Sequence, residues 1–320
     1  TIQAFRSACE KSSGVFVPVF LNQQDEVISY FNYELPEIKI IDFGDPSLSA
    51  DELMKCIHAD PWLLFGGIIA VVNNHQEKSS LERQRDPNIL LVLRRPDFEK
   101  NCERLLRILN RNQQFLFNRG MQQQMNTNET GSFISDNDPI DILFYCSLIT
   151  GYLYNTNRIN DEGRSAVQGA LMELLLNAVE HGNCRISYDE KTAWLSDGKN
   201  MLDLIAEKSK EAEAAKKKVY IAYEITNART RISVRDDGDG FDWKSRLAGD
   251  MTAGLHGMGI KLAESFVSRV TYNDKGNEAT FEIANQRDAT NSIPVIMQEQ
   301  QILNFEHKEV VCRQNELSND

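Results

Sequence analysis

Long apolar runs are missing from this 320-residue chain. No stretch approaches the ~18 apolar residues that a membrane-spanning helix needs, and no charged-then-apolar signal opens the sequence. A membrane partner is therefore not expected. Basic residues are also in deficit, 35 Lys and Arg against 47 Asp and Glu, for a net charge of -12. Such a surface repels a phosphate backbone, so nucleic acid is not an expected partner. Cysteine is thin and scattered: the six residues Cys9, Cys56, Cys102, Cys146, Cys184 and Cys312 form no CxxC pair, no Cys/His metal spacing and no disulfide-dense segment. Reduced thiols in a cytoplasmic protein follow as the expectation. There is no internal repeat, and the only biased tract is the charged IAEKSKEAEAAKKK. The chain begins at Thr1 without a methionine, which leads us to expect that an upstream segment has been removed.

What is present is enough for two ordinary domains, at 41% hydrophobic residues over a length beyond the ~250 at which single cores stop growing. Residues 1–121 alternate strand-like and helix-like stretches. VFVPVFLN (15–22), EIKIIDFGD (37–45), GGIIAVVN (66–73) and NILLVLRR (88–95) read as strands, the last two as runs buried on both faces of a parallel sheet. DEVISYFNYEL and SADELMKCIHADPWL read as helices between them, and Phe98, Cys102, Leu105, Leu106 and Leu109 at helical spacing predict a long closing helix over 98–118. An open α/β sheet results. Residues 122–139 are polar and without periodicity, the expected linker. Residues 140–285 begin with two helices, carry a polar insertion at 184–217, and continue with the alternating strands VYIAYEIT, RISVRD, RVTY and ATFEIAN, an α+β two-layer arrangement. The helix-like LHGMGIKLAESFVS precedes the last two strands, and 286–320 form a tail with one strand-like stretch, IPVIMQ.

Three segments of the second half carry chemistry. In ELLLNAVEHGN (173–183), Glu173, Asn177 and His181 fall four apart within an apolar run, and Gly182 and Asn183 read as the helix stop. A water-facing edge would explain that row. The apolar neighbours on both sides place it instead at the wall of a cleft, where an amide oxygen suits Mg²⁺ and a carboxylate one turn away suits proton removal from a hydroxyl. RDDGDGFDW (235–243) follows a strand: Asp236 ends it, and Gly238 and Gly240 permit a sharp turn and close approach of a flat ligand. A hairpin turn is the plain alternative, and the spacing of a calcium loop is absent. In GLHGMGIKLAESF (254–266), Gly254, Gly257 and Gly259 precede a helix whose free N–H groups would face a phosphate. It is neither a Walker A loop nor a dinucleotide fingerprint.

Taken together and in this order, the three resemble the N box, the D-x-G-x-G box and the second glycine box of the GHKL (Bergerat-fold) ATPase superfamily, with NEATFEI similar to its closing strand. The resemblance covers roughly residues 135–285. The short stretch between the two glycine boxes and the phrase GRSAVQGALMELLLNAVEHGN are most similar to the anti-sigma-factor serine kinases, and the insertion is similar to one carried by bacterial signalling versions linked to receiver domains. The resemblance implies ATP and Mg²⁺ as cofactors, Glu173 as general base, Asn177 as Mg²⁺ ligand, Asp236 as the adenine-reading residue, and Gly238, Gly240, Gly254, Gly257, Gly259, His181 and Thr280 as nucleotide contacts. Met258 stands where those kinases are often basic, and Lys261, Lys244 and Arg246 are the cations placed to substitute.

Residues 1–121 resemble a degenerate receiver domain. Asp42 stands at the phosphoacceptor position, Asn73 where Ser or Thr is expected, and Arg94 or Arg95 ahead of Pro96 in place of Lys-Pro. The acidic pair that would hold Mg²⁺ is replaced by Asn22, Gln23 and Gln24, so Asp42 reads better as a loop residue capping the next turn. Three function classes come into question for such a chain. A sensor histidine kinase needs a phosphoacceptor histidine on a helix ahead of the ATP domain; the 98–118 helix has none, and His58 and His75 lie in the α/β half. A protein kinase acting on Ser or Thr of a regulatory partner, of the anti-sigma antagonist or sigma-factor type, is the expectation, with a homodimer implied by the resemblance. A nucleotide-dependent or nucleotide-free interaction switch is the alternative.

Overall fold

The computed structural model describes residues 1–12, 15–64, 66–113, 115, 128–243, 267 and 270–286. Among them, a parallel sheet runs in the order β1 (Ile38–Asp42), β2 (Gly67–Val72), β3 (Ile89–Arg94). Every residue of β2 is buried because both faces of the sheet are covered. Ile68, Ala70 and Val72 share a cluster with Val27 and Phe31 of α2 (Gln24–Glu34) and with Leu53 and Ile57 of α3 (Ala50–Ala59). Ile69 and Val71 face the other way, towards Ala8 and Cys9 of α1 (Ile2–Lys11) and the apolar stripe of α5 (Arg95–Arg111). Phe98, Cys102, Leu105, Leu106 and Leu109 form that stripe as their spacing predicts, and each fully buried Leu or Phe contributes ~1.5–3 kcal/mol relative to exposure. Helix α4 (His75–Arg83), capped by the Asn74 side chain on Glu77 N–H, packs beside β3.

A second, antiparallel sheet runs β4 (Glu129–Ser135), β5 (Val219–Ile225), β6 (Arg229–Asp236), β8 (Glu278–Ala284), β7 (Thr271–Tyr272). Alternation places Ile221, Tyr223, Ile232, Val234, Phe281 and Ile283 on one buried face, and Arg231 with Glu282 on the opposite, wetter one. Helices α6 (Pro139–Asn155) and α7 (Asp161–Asn177) cover the buried face. Both begin at side-chain caps, Asp138 on Ile140 N–H and Asn160 on Gly163 N–H. Helix α6 is buried on nearly all sides because it also shields β3, where Asn155 donates to the Ile89 carbonyl at 3.0 Å. One hydrophobic cluster therefore runs from Ala8 through Phe98 to Ile283.

Several expectations are corrected. Residues 16–22 lie outside any strand; Pro18 removes a ladder donor in the middle of that apolar run. The three described parallel strands lie side by side in chain order, which is too short a stretch to distinguish a doubly wound receiver from other open α/β sheets, so the receiver-like expectation for 1–121 is not confirmed. Within the expected linker, residues 129–135 form β4, whose alternate residues Glu129, Phe133 and Ser135 are buried. The period-2 signal there was hidden by small and polar residues. The polar insertion 184–217 carries structure of its own. It folds as α8 (Tyr188–Ser196), α9 (Met201–Lys208) and a 3₁₀ turn at Ala214–Lys216 in which Ala214 is buried.

Candidate functional site

Helix α7 carries Glu173 and Asn177 half-buried at its C-terminal end, with the Asn177 amide donating to Glu173 Oε1 at 3.3 Å. That contact leaves the Asn177 amide oxygen uncommitted among the described residues. Beyond Asn177 the winding loosens into a π turn, Ala178–Asn183, closed by Cys184 N–H on the Val179 carbonyl at 2.8 Å. His181 stands exposed within this turn. Its Nδ1 lies 3.0 Å from the Ile186 carbonyl and its Nε2 3.1 Å from Glu180. Glu180, buried, also takes Lys191 at 2.7 Å. The hydrogen bond with Glu180 raises the His181 pKa against the opposing effect of burial. Burial tends to raise that of Glu180, but His181 and Lys191 hold it below the ordinary carboxylate value.

The same π turn brings Gly182 against the end of β6. An added Cβ at 182 would meet the Asp236 carboxyl carbon at 2.4 Å, and one at Gly238 would meet the Gly182 carbonyl at 2.4 Å and Asp236 Oδ1 at 2.7 Å. Two absent side chains thus make the cradle in which the buried Asp236 carboxylate lies. Its Oδ1 accepts the Gly238 N–H at 2.8 Å, while Oδ2 has no hydrogen bond among the described residues. Burial raises the Asp236 pKa, opposed by the Gly238 N–H and by Lys275. Gly240 turns with φ +79°, and a Cβ there would strike the Lys275 carbonyl at 1.9 Å. Lys275 in turn donates to the Gly238 carbonyl at 2.8 Å, so the loop is fastened to the β7–β8 turn.

A buried amide network that sequence reading missed holds these parts in register. Asn183 donates to Asn137 Oδ1 at 2.7 Å and accepts the Asp237 N–H at 2.9 Å; Asn277 donates to the Asp236 carbonyl at 2.8 Å and accepts the Asp236 N–H on its own carbonyl at 3.0 Å. In sequence these asparagines look like caps and turn residues. Only their positions next to a helix stop, a strand start and a strand end hint otherwise. Thr280 is not brought to the site: it alternates with the inward Ala279 and Phe281 and lies on the face away from Asp236. Gly254, Gly257, Met258, Gly259 and Lys261, with Lys244 and Arg246, lie outside the described residues. So do the predicted helix within 254–266 and the IPVIMQ stretch. In the first half, Asp42 Oδ1 pairs with Arg95 at 3.0 Å and accepts the Gly44 N–H at 3.1 Å, the turn-capping role expected for it.

Residues 146–283 match the family model for the histidine kinase-like ATPase domain. The match spans α6 to β8 and supports the GHKL-type assignment for this part of the chain. No curated protein matches the chain. A domain of this family implies ATP binding, typically with Mg²⁺. The residues present fit both: Asp236 Oδ2 is an acceptor suited to an exocyclic amine, and the Asn177 amide oxygen is a neutral, hard donor that would suit Mg²⁺ together with water and nucleotide phosphates. None of the helices among the described residues is long and apolar enough to cross a membrane.

Proposed function

We propose that the chain binds ATP with Mg²⁺ and transfers the γ-phosphoryl group to Ser or Thr of a regulatory protein partner, in the manner of the anti-sigma-factor serine kinases. The observation that carries the nucleotide part is the Asp236 carboxylate held between Gly238 and Gly182, a glycine that follows Asn177 by about one helical turn and Glu173 by about two. Asp236 Oδ2 accepts from the adenine amine, which selects ATP over GTP because guanine presents a carbonyl at that position. The Asn177 amide oxygen ligates the metal, and bound Mg²⁺ supplies charge neutralisation on the phosphates. Glu173 takes the proton of the attacking hydroxyl as the new oxygen–phosphorus bond forms and ADP leaves. The half-exposed position of Glu173 suits a base that must meet a second protein. In this reading the α/β half is a receiver-derived docking surface in which the Arg95–Asp42 pair replaces phosphorylation chemistry.

The test is calorimetry with ATP and Mg²⁺ on wild type, Asn177→Ala and Asp236→Asn, followed by incubation with γ-labelled ATP and a cell lysate. The proposal requires both substitutions to weaken binding and Glu173→Gln to abolish labelling of the partner. Unchanged binding in both variants refutes the nucleotide site. Binding without any labelled protein favours the alternative in which ATP only switches an interaction.

A further inference from the structure

Three arginines on one face of α5, Arg104, Arg107 and Arg111, meet three aspartates in the corner between β4 and α6. Arg107 Nη2 reaches both oxygens of the buried Asp141 at 2.8 Å. Arg104 Nη2 lies 2.7 Å from Asp138 Oδ2, and its Nε lies 2.8 Å from Asp141 at an angle too poor for a hydrogen bond. Arg111 donates to Asp136 Oδ2 at 2.6 Å, with Arg107 3.8 Å from the same oxygen. Asp136 is the branch point. Its other oxygen takes the Lys218 ammonium, and burial, which would raise its pKa, is outweighed by the hydrogen bonds from Lys218 and Arg111.

From Lys218 the chain of contacts continues into the nucleotide loop. The Lys218 N–H donates to Asp237 Oδ2 at 2.9 Å, and the Lys218 carbonyl accepts from Asn183 at 3.0 Å. Next to Asp136, Asn137 accepts from Asn183 at 2.7 Å and donates to the Ala214 and Lys217 carbonyls at 2.7 and 3.0 Å. Asn183 then receives the Asp237 N–H. Two short parallel routes therefore join the end of α5, in the α/β half, to the residue adjoining Asp236. A pair that served only to fasten the halves together would not need to share its carboxylate with Lys218, the residue ahead of β5 whose N–H holds the Asp237 carboxylate of the nucleotide loop.

We infer that Arg111 and Asp136 are positioning residues for the nucleotide site, and that the seating of α5 on the β4–α6 corner sets ATP affinity through Asp136, Lys218 and Asp237. The α/β half is then the input side of the molecule, and anything that lifts the end of α5 loosens the DDGDG turn. The inference rests on the ATP-binding reading for its consequence, but its mechanical part can be measured without nucleotide. The pair is partly exposed, so its effect belongs at the low end of allosteric couplings, about fivefold.

The experiment is hydrogen–deuterium exchange of the nucleotide-free full chain, with ATP·Mg²⁺ calorimetry on the same samples, for wild type, Arg111→Gln and Arg111→Lys. Arg111→Gln should speed exchange of the Asp237 and Gly238 amides and weaken ATP binding, each about fivefold, and Arg111→Lys should restore both. Unchanged exchange at these two amides overturns the relay, whether or not the wild type binds nucleotide. Faster exchange in a protein whose wild type binds no nucleotide keeps the relay and overturns the ATP reading. If Arg111→Gln does not fold, Asp136→Asn is read in the same way against the same two amides.

Discussion

Replacing Gly182 by alanine is the sharpest perturbation this site offers. The new methyl would stand 2.4 Å from Asp236 Cγ, 2.5 Å from Oδ1 and 2.7 Å from Oδ2, roughly 1 Å inside ordinary contact. Asp236 has little freedom to yield, because Oδ1 holds the Gly238 N–H and the Gly182 carbonyl closes the other side of the cradle. Overpacking of this kind costs ~1–3 kcal/mol, and the carboxylate is the part that must move. A displaced carboxylate forfeits its hydrogen bond to the adenine amine, worth ~1.5–3 kcal/mol for a charged acceptor. At about 1.4 kcal/mol per decade, Kd for ATP should rise about tenfold to a hundredfold. Titration calorimetry with ATP and GTP measures this directly, and differential scanning calorimetry of the free protein reports the packing cost. ATP affinity should fall towards that for GTP while the variant remains folded. An ATP Kd within about twofold of wild type would show that Asp236 does not read the base.

Four further outcomes follow from the same geometry. Glu173→Gln should lower phosphoryl transfer about 10²-fold or more with ATP affinity nearly unchanged, since it removes a proton acceptor and keeps the shape; single-turnover labelling checks it. Gly240→Ala should destabilise the free protein by more than about 1 kcal/mol, because φ +79° disfavours a side chain and the methyl meets the Lys275 carbonyl, as read from urea unfolding. The Glu180–His181 pair raises the imidazole pKa above its ordinary 6.5, so its contribution is complete below about pH 6.5 and fades as pH rises through the folded value. Tm should decline across that rise, and His181→Gln should flatten the profile. A small acyl-phosphate donor should leave Asp42 unlabelled, because Arg95 and the Gly44 N–H occupy one of its oxygens and Asn22, Gln23 and Gln24 stand where an acidic pair would hold the metal; mass spectrometry decides.

The sequence by itself determined the parts whose signal is local. The periods of 3.6 and 2 exposed α5, α7, β5, β6 and β8, and the order of the three motifs identified the superfamily later supported over 146–283. Glu173, Asn177, Asp236, Gly238 and Gly240 stand out as candidates in the sequence because each sits in a short string whose chemistry is carried by its own residues. What tertiary structure decided depends on which residues from distant strings meet. Gly182 reads as a helix stop until Asp236, more than fifty positions on, is seen to need its missing side chain. Asn137, Asn183 and Asn277 are indistinguishable from turn residues until burial obliges them to find partners. A π turn, invisible to a rule of fixed helical spacing, carries Gly182 against Asp236, and strand alternation turned Thr280 away. β4 was hidden because Thr130, Gly131 and Ser132 carry little hydrophobic contrast, so pairing with β5 made it a strand. The union of the two halves through α6 and the α5 arginines was settled by contacts between segments that neither segment encodes alone.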